Sequence, residues 1–237
     1  MSDRFSRTEN LIGKAAVERL KAAKVIVFGL GGVGGYCVEA LARAGVGAID
    51  IVDNDKIAES NINRQIYSLN STLGEYKADV AEKRIKDINP DCRVKTYKIF
   101  YLPETAGDID FNNYDYVLDA IDTVSAKLCI AERAESAGVP VISAMGTGNK
   151  LEPAGFKVAD IFETRGCPLA RVMRTECKRR GIKRLKVVYS EEKAIKPTGT
   201  SEGGNGRTPA SISFVPPVAG LIMAAEVVKD LIQGENK

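Results

Sequence analysis

Val25-Ile26-Val27-Phe28-Gly29-Leu30-Gly31-Gly32-Val33-Gly34-Gly35 is the stretch that decides the fold. Three β-branched residues and a phenylalanine read as a strand. The glycines that follow form a G-x-G-x-x-G turn directly before a helical pattern over residues 33–44. Glycine lets the backbone turn tightly and approach a phosphate, and the helix N-terminus adds N–H donors and the positive end of a dipole. Asp53 closes the next strand about two dozen residues later, where a carboxylate accepts hydrogen bonds from ribose hydroxyls. Together these features point to a nucleotide without separating NAD, FAD and ATP. A glycine turn with no ligand is the plain alternative.

Outward from this unit, strand patterns occupy residues 24–28, 48–53, 93–100, 116–120 and 139–144. Helical patterns lie between them at 33–44, 74–89 and 124–137. In the second, Val80, Ala81, Arg84, Ile85 and Ile88 fall at helical spacing and Asn89-Pro90 ends the run. The alternation predicts an α/β fold, Rossmann-like and doubly wound, with a mainly parallel sheet, helices on both faces and ligands beyond the carboxyl ends of the strands. After Gly146 the character changes to a loop at 147–153, a strand at 156–162, a very basic helix at 168–180 and a strand at 185–189. Residues 190–208, with Pro197, Gly199, Gly203, Gly204 and Gly206, read as a mobile loop. An apolar helix at 218–232 should pack on the sheet or a second subunit. The expected organisation is one domain over residues 1–237, with a nucleotide-binding core at 1–145 and substrate and dimer elements at 146–237.

Composition narrows the chemistry. The chain has 237 residues, 34 basic against 31 acidic, a formal charge of +3, and no histidine. Imidazole general bases, Ser-His-Asp or Cys-His nucleophile systems and His-ligated zinc are therefore excluded. The small positive excess permits a polyanionic partner without demanding one. Five cysteines, at 37, 92, 129, 167 and 177, form no C-x-x-C pair and are odd in number, so neither a disulfide framework nor a thiolate zinc site is expected, and all five read as buried inert thiols. No signal-peptide pattern opens the polar stretch 1–14. The apolar stretch 214–232 is broken by Pro216, Pro217, Glu226, Lys229 and Asp230, so the chain reads as soluble and cytoplasmic.

Arg64 and Lys77 bear on the choice of nucleotide. A dehydrogenase needs few cations near the phosphates, whereas attack at the α-phosphorus of a triphosphate needs Arg and Lys to neutralise developing charge. Either residue taken singly reads as a solvated surface cation. Asp119-Ala120-Ile121-Asp122 ends another strand at the same edge, and alternation points the two carboxylates into different environments. Asp122 is a candidate Mg2+ ligand; capping of the helix that starts near residue 123 is the alternative role.

Gly29-x-Gly31-Gly32-Val33-Gly34, Asp53-Asn54-Asp55, Asn61-x-Asn63-Arg64-Gln65, Lys77 and Asp119-x-x-Asp122 resemble, in order and spacing, the ATP site of the ubiquitin-activating-enzyme superfamily, which includes the molybdopterin and thiamine biosynthesis adenylyltransferases. Arg4-Phe5-Ser6-Arg7 is similar to that superfamily's N-terminal Arg motif. The resemblance implies Gly29, Gly31, Gly32 and Gly34 along the phosphates and Asp53 on the ribose. It places Asp55, Asn61, Arg64, Gln65 and Lys77 around the triphosphate and Asp122 on Mg2+, and makes Arg7 a finger that enters the neighbouring subunit of a homodimer.

Within the superfamily, Asp3-Arg4-Phe5-Ser6-Arg7-Thr8, Arg64-Gln65-Ile66, Ile88-Asn89-Pro90 and Cys167-Pro168-Leu169-Ala170-Arg171 look like the tRNA threonylcarbamoyladenosine dehydratases. One departure is Cys167, where an acidic residue is expected before Pro-Leu-Ala. The implied reaction is ATP-dependent cyclisation of a modified adenosine at position 37 of tRNA through activation of its threonine carboxylate. The resemblance also brings in a monovalent cation and a cysteine desulfurase or sulfur-acceptor system as candidate partners. Arg165, Arg171, Arg174, Lys178, Arg179, Arg180, Lys183, Arg184 and Lys186 are the candidate tRNA patch, with an ordinary solvated face as the alternative. The competing readings are an adenylyltransferase for the C-terminus of a ubiquitin-like sulfur carrier, a nucleotide-sensing module without turnover, and a nicotinamide dehydrogenase.

Overall fold

The computed structural model describes residues 4–198 and 209–234. The opening strand is β1 (Lys24–Phe28), and the glycine turn after it leads into α3 (Gly34–Ala44), behind two short helices, α1 (Ser6–Ile12) and α2 (Lys14–Ala22). Then come β2 (Ala48–Val52), α4 (Lys77–Ile88), β3 (Thr96–Tyr97), β4 (Tyr116–Asp119), α5 (Val124–Ala137) and β5 (Val141–Ala144). The remainder contributes β6 (Phe156–Asp160), α6 (Pro168–Arg180), β7 (Lys186–Ser190) and α7 (Val215–Gln233). One seven-stranded sheet runs in the order β3-β2-β1-β4-β5-β7-β6, parallel except for the antiparallel pair of β6 with β7. The expected doubly wound, mainly parallel sheet is thus the observed one, and residues after Gly146 extend that same sheet.

Near-continuous apolar strands such as Val25-Ile26-Val27-Phe28 need cover on both faces. One face buries Val25, Val27, Ile49 and Ile51 against Val38, Leu41, Ala81, Ile85, Met223 and Val227 of α3, α4 and α7. The other buries Ile26, Phe28 and Val117 against α5 and the segment carrying Tyr101, Ile109 and Phe111. A third cluster joins α6 to α5 and β7 through Met173, Cys177, Leu128 and Val187.

Several boundaries differ from the sequence reading. The strand expected at 93–100 shrinks to Thr96–Tyr97 with an isolated bridge from Arg93 to Ala48, because it pairs only with β2 at the sheet edge and the chain then departs to bury Tyr101 under Phe28. Helix α4 starts at Lys77 rather than 74, since Gly74 adopts φ +82° and Tyr76 bridges to Lys56. Helix α7 begins at Val215, three residues early, with Pro216 and Pro217 in the first turn, where no intrahelical N–H bond is lost. The polar start of the chain folds because Phe5 is buried against Gly45 and Arg4 donates to the Ile88 carbonyl. Of the loop expected at 190–208, residues 199–208 lie outside the described residues. No helix among the described residues is long and apolar enough to cross a membrane.

Helices α3 and α7 meet where a side chain has no room. A Cβ on Gly220 would lie 2.2 Å from the Val33 carbonyl oxygen and 3.1 Å from the Cys37 nitrogen. Gly220→Ala should therefore lower the unfolding free energy by about 1–3 kcal/mol through overpacking. Urea denaturation measures this, and an unchanged midpoint would show that the two helices separate without strain.

Candidate active site

The parallel register brings the ends of β1, β2 and β4 level, with Phe28 beside both Val52 and Asp119. The glycine turn leaves this edge with Gly29 N donating to Val52 O, while Ala120 N donates to Phe28 O, each at 2.8 Å. Gly29 takes φ +88°, and a Cβ there would sit 2.8 Å from the Ala120 oxygen. A Cβ on Gly34 would fall 1.8 Å from the Gly29 oxygen, so the turn closes only with glycine at that position. Gly31 faces open space, its nearest neighbour being Gln65 Nε2 at 4.0 Å, and Gly32 lies against Pro216 and the Arg64 carbonyl. The turn thus presents backbone at Gly31 and packs tightly at Gly29 and Gly34.

Asp53 accepts from Leu30 N at 2.6 Å and Asp55 N at 2.8 Å, which ties the acid of β2 to the turn. Burial pushes its carboxyl above the ordinary aspartate range, and the Lys77 ammonium opposes that rise. Lys77 opens α4 and is only 4% exposed. Its Nζ lies 2.7 Å from Asp55 Oδ2 and its backbone N donates to Asp55 O. Arg64 donates to Ser60 O at 2.9 Å and to Asn63 Oδ1 at 2.8 Å. Asn61 Oδ1 accepts from Ala58 N, so this side chain shapes the loop that presents Arg64. Gln65 is buried, and its Oε1 has no hydrogen-bond partner among the described residues.

The two carboxylates after β4 do separate. Asp119 is 1% exposed, Asp122 is exposed, and the N-cap of α5 is Thr123 with no side-chain cap bond, so the capping role considered for Asp122 is not realised. Asp119 is held by Ser143 Oγ at 2.6 Å and by fully buried Lys127 at 2.9 Å. Asp119 also accepts from Ile121 N while Lys127 donates to Ile121 O. The backbone of Ile121 is thus clamped through both its N–H and its carbonyl, immediately before Asp122. Lys127 was legible as a cation inside the apolar run Ala126 to Ala131, yet its partner was not.

Arg7 stands apart from this group. Its helix is anchored through Phe5 on Gly45, just past the end of α3, and through Arg4 on Ile88. An 11-residue helix is about 16 Å long, so this anchorage lies at the opposite edge of the sheet from the turn. The Arg7 side chain is exposed and forms no hydrogen bond or ion pair among the described residues. The basic stretch divides. Arg174 is bound to Thr164, Arg179 to Glu176, Arg180 to Glu132 and Lys186 to Asp230. Arg165, Arg171, Lys178, Lys183 and Arg184 are exposed without an ion pair among the described residues. All five cysteines are buried, as expected. Burial pushes Cys92 and Cys177 up to about 11 and raises Cys37 and Cys129 as well, so these four are poor nucleophiles near neutrality.

The ThiF family model matches residues 5–237. A tRNA threonylcarbamoyladenosine dehydratase of Bacillus subtilis is 43% identical over 244 residues, covering 98% of this chain and 96% of that protein. The crystal structure of E. coli tRNA N6-threonylcarbamoyladenosine dehydratase, TcdA, in complex with ATP superposes with a TM-score of 0.88 at 31% identity, covering 97% of this chain and 94% of that one. The complex of the same enzyme with AMP gives 0.88 at 32% identity with the same coverage.

Removing one partner of the buried Lys127–Asp119 pair leaves an uncompensated charge. Lys127→Met should lower stability by about 3–5 kcal/mol, with partial recovery on adding Asp119→Asn. Denaturant titration of the single and double variants checks both expectations, and a harmless Lys127→Met would show the pair to be solvated.

Proposed function

The chain belongs to the ThiF family, and on that premise we propose that it is an ATP-dependent tRNA threonylcarbamoyladenosine dehydratase that cyclises its substrate through an activated carboxylate. The observation that carries this reading is Lys77, a cation almost wholly enclosed beside a glycine turn built for phosphate. Its ammonium is fixed by the Asp55 carboxylate and faces Asp53, so the cation is held in place before any nucleotide arrives. Attack on a triphosphate uses such a held cation, whereas hydride transfer to nicotinamide has no use for it.

The roles follow from position. The turn from Gly29 to Gly34, Gly31 and Gly32 included, lines the phosphates, and α3 directs its N-terminus at them. Asp53 accepts from the ribose. Asp55 holds Lys77, Asn61 shapes the loop, and Arg64 with Lys77 neutralises charge as a phosphorus of ATP is attacked. Gln65 brings its Nε2 donor nearest to Gly31. Asp122 fits Mg2+: its carboxylate is exposed at the mouth, and no group of three or more acidic or cysteine side chains among the described residues forms a cage. Mg2+ commonly takes one or two carboxylates and completes its shell with phosphate oxygens and water. Held by Asp122, the ion would supply positive charge to the phosphates.

A carboxylate is a poor electrophile until its oxygen is joined to phosphorus. That bond forms as the phosphorus parts from the leaving portion of ATP; the nucleophile within the same side chain then attacks the carbonyl carbon and gives up its proton, and the phosphorus-bearing group leaves with the former carboxylate oxygen, so the nucleoside ends lighter by one water. Because attacker and acceptor are tethered, the step gains a large effective molarity and needs no protein nucleophile. That suits a chain with no histidine and with its cysteines buried. Exposed Arg165, Arg171, Lys178, Lys183 and Arg184 are the surface we assign to tRNA, and we place the enzyme in the cytoplasm. A homodimer completes each site, since the anchorage of α1 keeps Arg7 from its own mouth and leaves it available to a partner's.

Purified protein with Mg-ATP should convert carboxylate-bearing tRNA to a nucleoside lighter by one water, read by mass spectrometry. Turnover on a carrier protein instead would favour an adenylyltransferase, and no ATP turnover a sensing module. Doubly tagged heterodimers of Arg7→Ala with Asp122→Ala should recover about half the activity of the parent dimer, because one of two sites is intact. Inactive but well-formed heterodimers would remove Arg7 from the partner's site.

A further inference from the structure

Asn149 is the only non-glycine with positive φ, at +59°, among the described residues. It follows β5 and binds two stretches of chain at once. Its backbone carbonyl accepts from Ile195 N, its backbone N donates to Ala210 O, and its Oδ1 accepts from Ala210 N, each at 2.8 Å. Gly148 makes room for the same segment, since a Cβ there would lie 2.6 Å from Pro209 Cβ. One residue further, buried Lys150 donates to the carbonyls of Ser190 and Glu192, and the Glu192 carboxylate accepts from Leu151 N and Glu152 N.

The very next residue of this segment is bound to the candidate active site. Asn63 Nδ2 donates to Ser211 O at 3.1 Å while Asn63 Oδ1 accepts from Arg64 Nη1 at 2.8 Å. Shortly after Ser211 the chain reaches Pro216, packed on Gly32. Residues 209–216 therefore run from the exit of β5 to the exit of β1. In the sheet those two strands flank β4, whose exit carries Asp122. Residues 209–216 form a strap across the mouth, and Asn149 and Asn63, the neighbour of Arg64, both hold its start through the consecutive residues Ala210 and Ser211.

We propose that Asn63 and Asn149 are positioning residues for the cyclisation: together they seat residues 209–212 across the mouth, and through Asn63 that seating fixes the direction of the Arg64 guanidinium. This rests on the dehydratase reading above. The carboxamide of Asn63 is suited to the task because one end accepts from Arg64 and the other donates to the strap. A carboxylate would keep the first bond and oppose the Ser211 carbonyl. At position 149 the need is an acceptor on a residue that tolerates the left-handed region, which Asp meets as well as Asn, whereas Gly keeps the conformation and loses the acceptor.

The experiment compares Asn149→Asp, Asn149→Gly, Asn63→Asp and the double variant Asn63→Asp/Asn149→Gly. Single-turnover cyclisation and ATP affinity are measured on the dimer, with hydrogen exchange at Ala210. Asn149→Asp should match the parent, which also shows that the position tolerates change. Asn149→Gly and Asn63→Asp should each slow cyclisation about tenfold, the size of one lost hydrogen bond to a polar network, while ATP affinity moves less than about threefold. The double variant should be no slower than either single, because both break one unit. Losses that multiply to about a hundredfold, or slowing with Asn149→Asp, would overturn the coupling while the dehydratase reading stands. Exchange at Ala210 reports independently of turnover. It should quicken in Asn63→Asp as in Asn149→Gly, and protection kept in Asn63→Asp would likewise overturn the coupling. A parent protein that forms no cyclised product overturns the assigned reaction instead.

Discussion

The approach of Gly34 to the Gly29 carbonyl, too close for any Cβ, is the constraint on which the rest of the molecule turns. It lets α3 start directly above the end of β1, so the helix N-terminus, the Asp53 carboxylate and the loop after β4 all converge on one edge. A larger residue would push α3 outward. The same helix is pinned from behind by α7 at Gly220, so the geometry of the mouth is set from two sides by backbone contacts. Such contacts have no rotamers to adjust, and precision at the turn follows from their stiffness.

Charge is handled with the same restraint. The buried ions of this edge are few and individually partnered: Lys77 with Asp55, Lys127 with Asp119 and Ser143. The second set holds backbone that faces the mouth, and the first holds a cation on its rim. An active site without imidazole must rely on such fixed charges.

Much of the fold was legible from local pattern. Residues 24–28, 124–137 and 168–180 form the expected elements with the expected bounds, because apolar spacing, Pro168 and the glycines at 138 and 181 act over short range. What failed did so where distant partners decide. Residues 6–12 read only as part of a polar opening stretch, yet they form a helix because Phe5 finds Gly45 and Arg4 finds Ile88 far along the chain. The strand at 93–100 was overdrawn because nothing in its composition reveals that it would lie at an edge. Gly29 and Asp53 were singled out by the strand, turn and spacing, and Arg64, Lys77 and Asp122 by residue type and the resemblance. The contacts of Asn63 and Asn149 were not legible, since each bonds a segment that only the tertiary fold brings near.

The two borders of the sheet have a consequence of their own. At one, β3 is only two residues long; at the other, β6 runs antiparallel and places exposed Lys157 in its second position. Short outer strands and outward lysines make poor templates for strand addition. Copies of this chain are thereby discouraged from joining sheet to sheet into open-ended ribbons. Association is left to helices and loops, whose shapes can terminate at two.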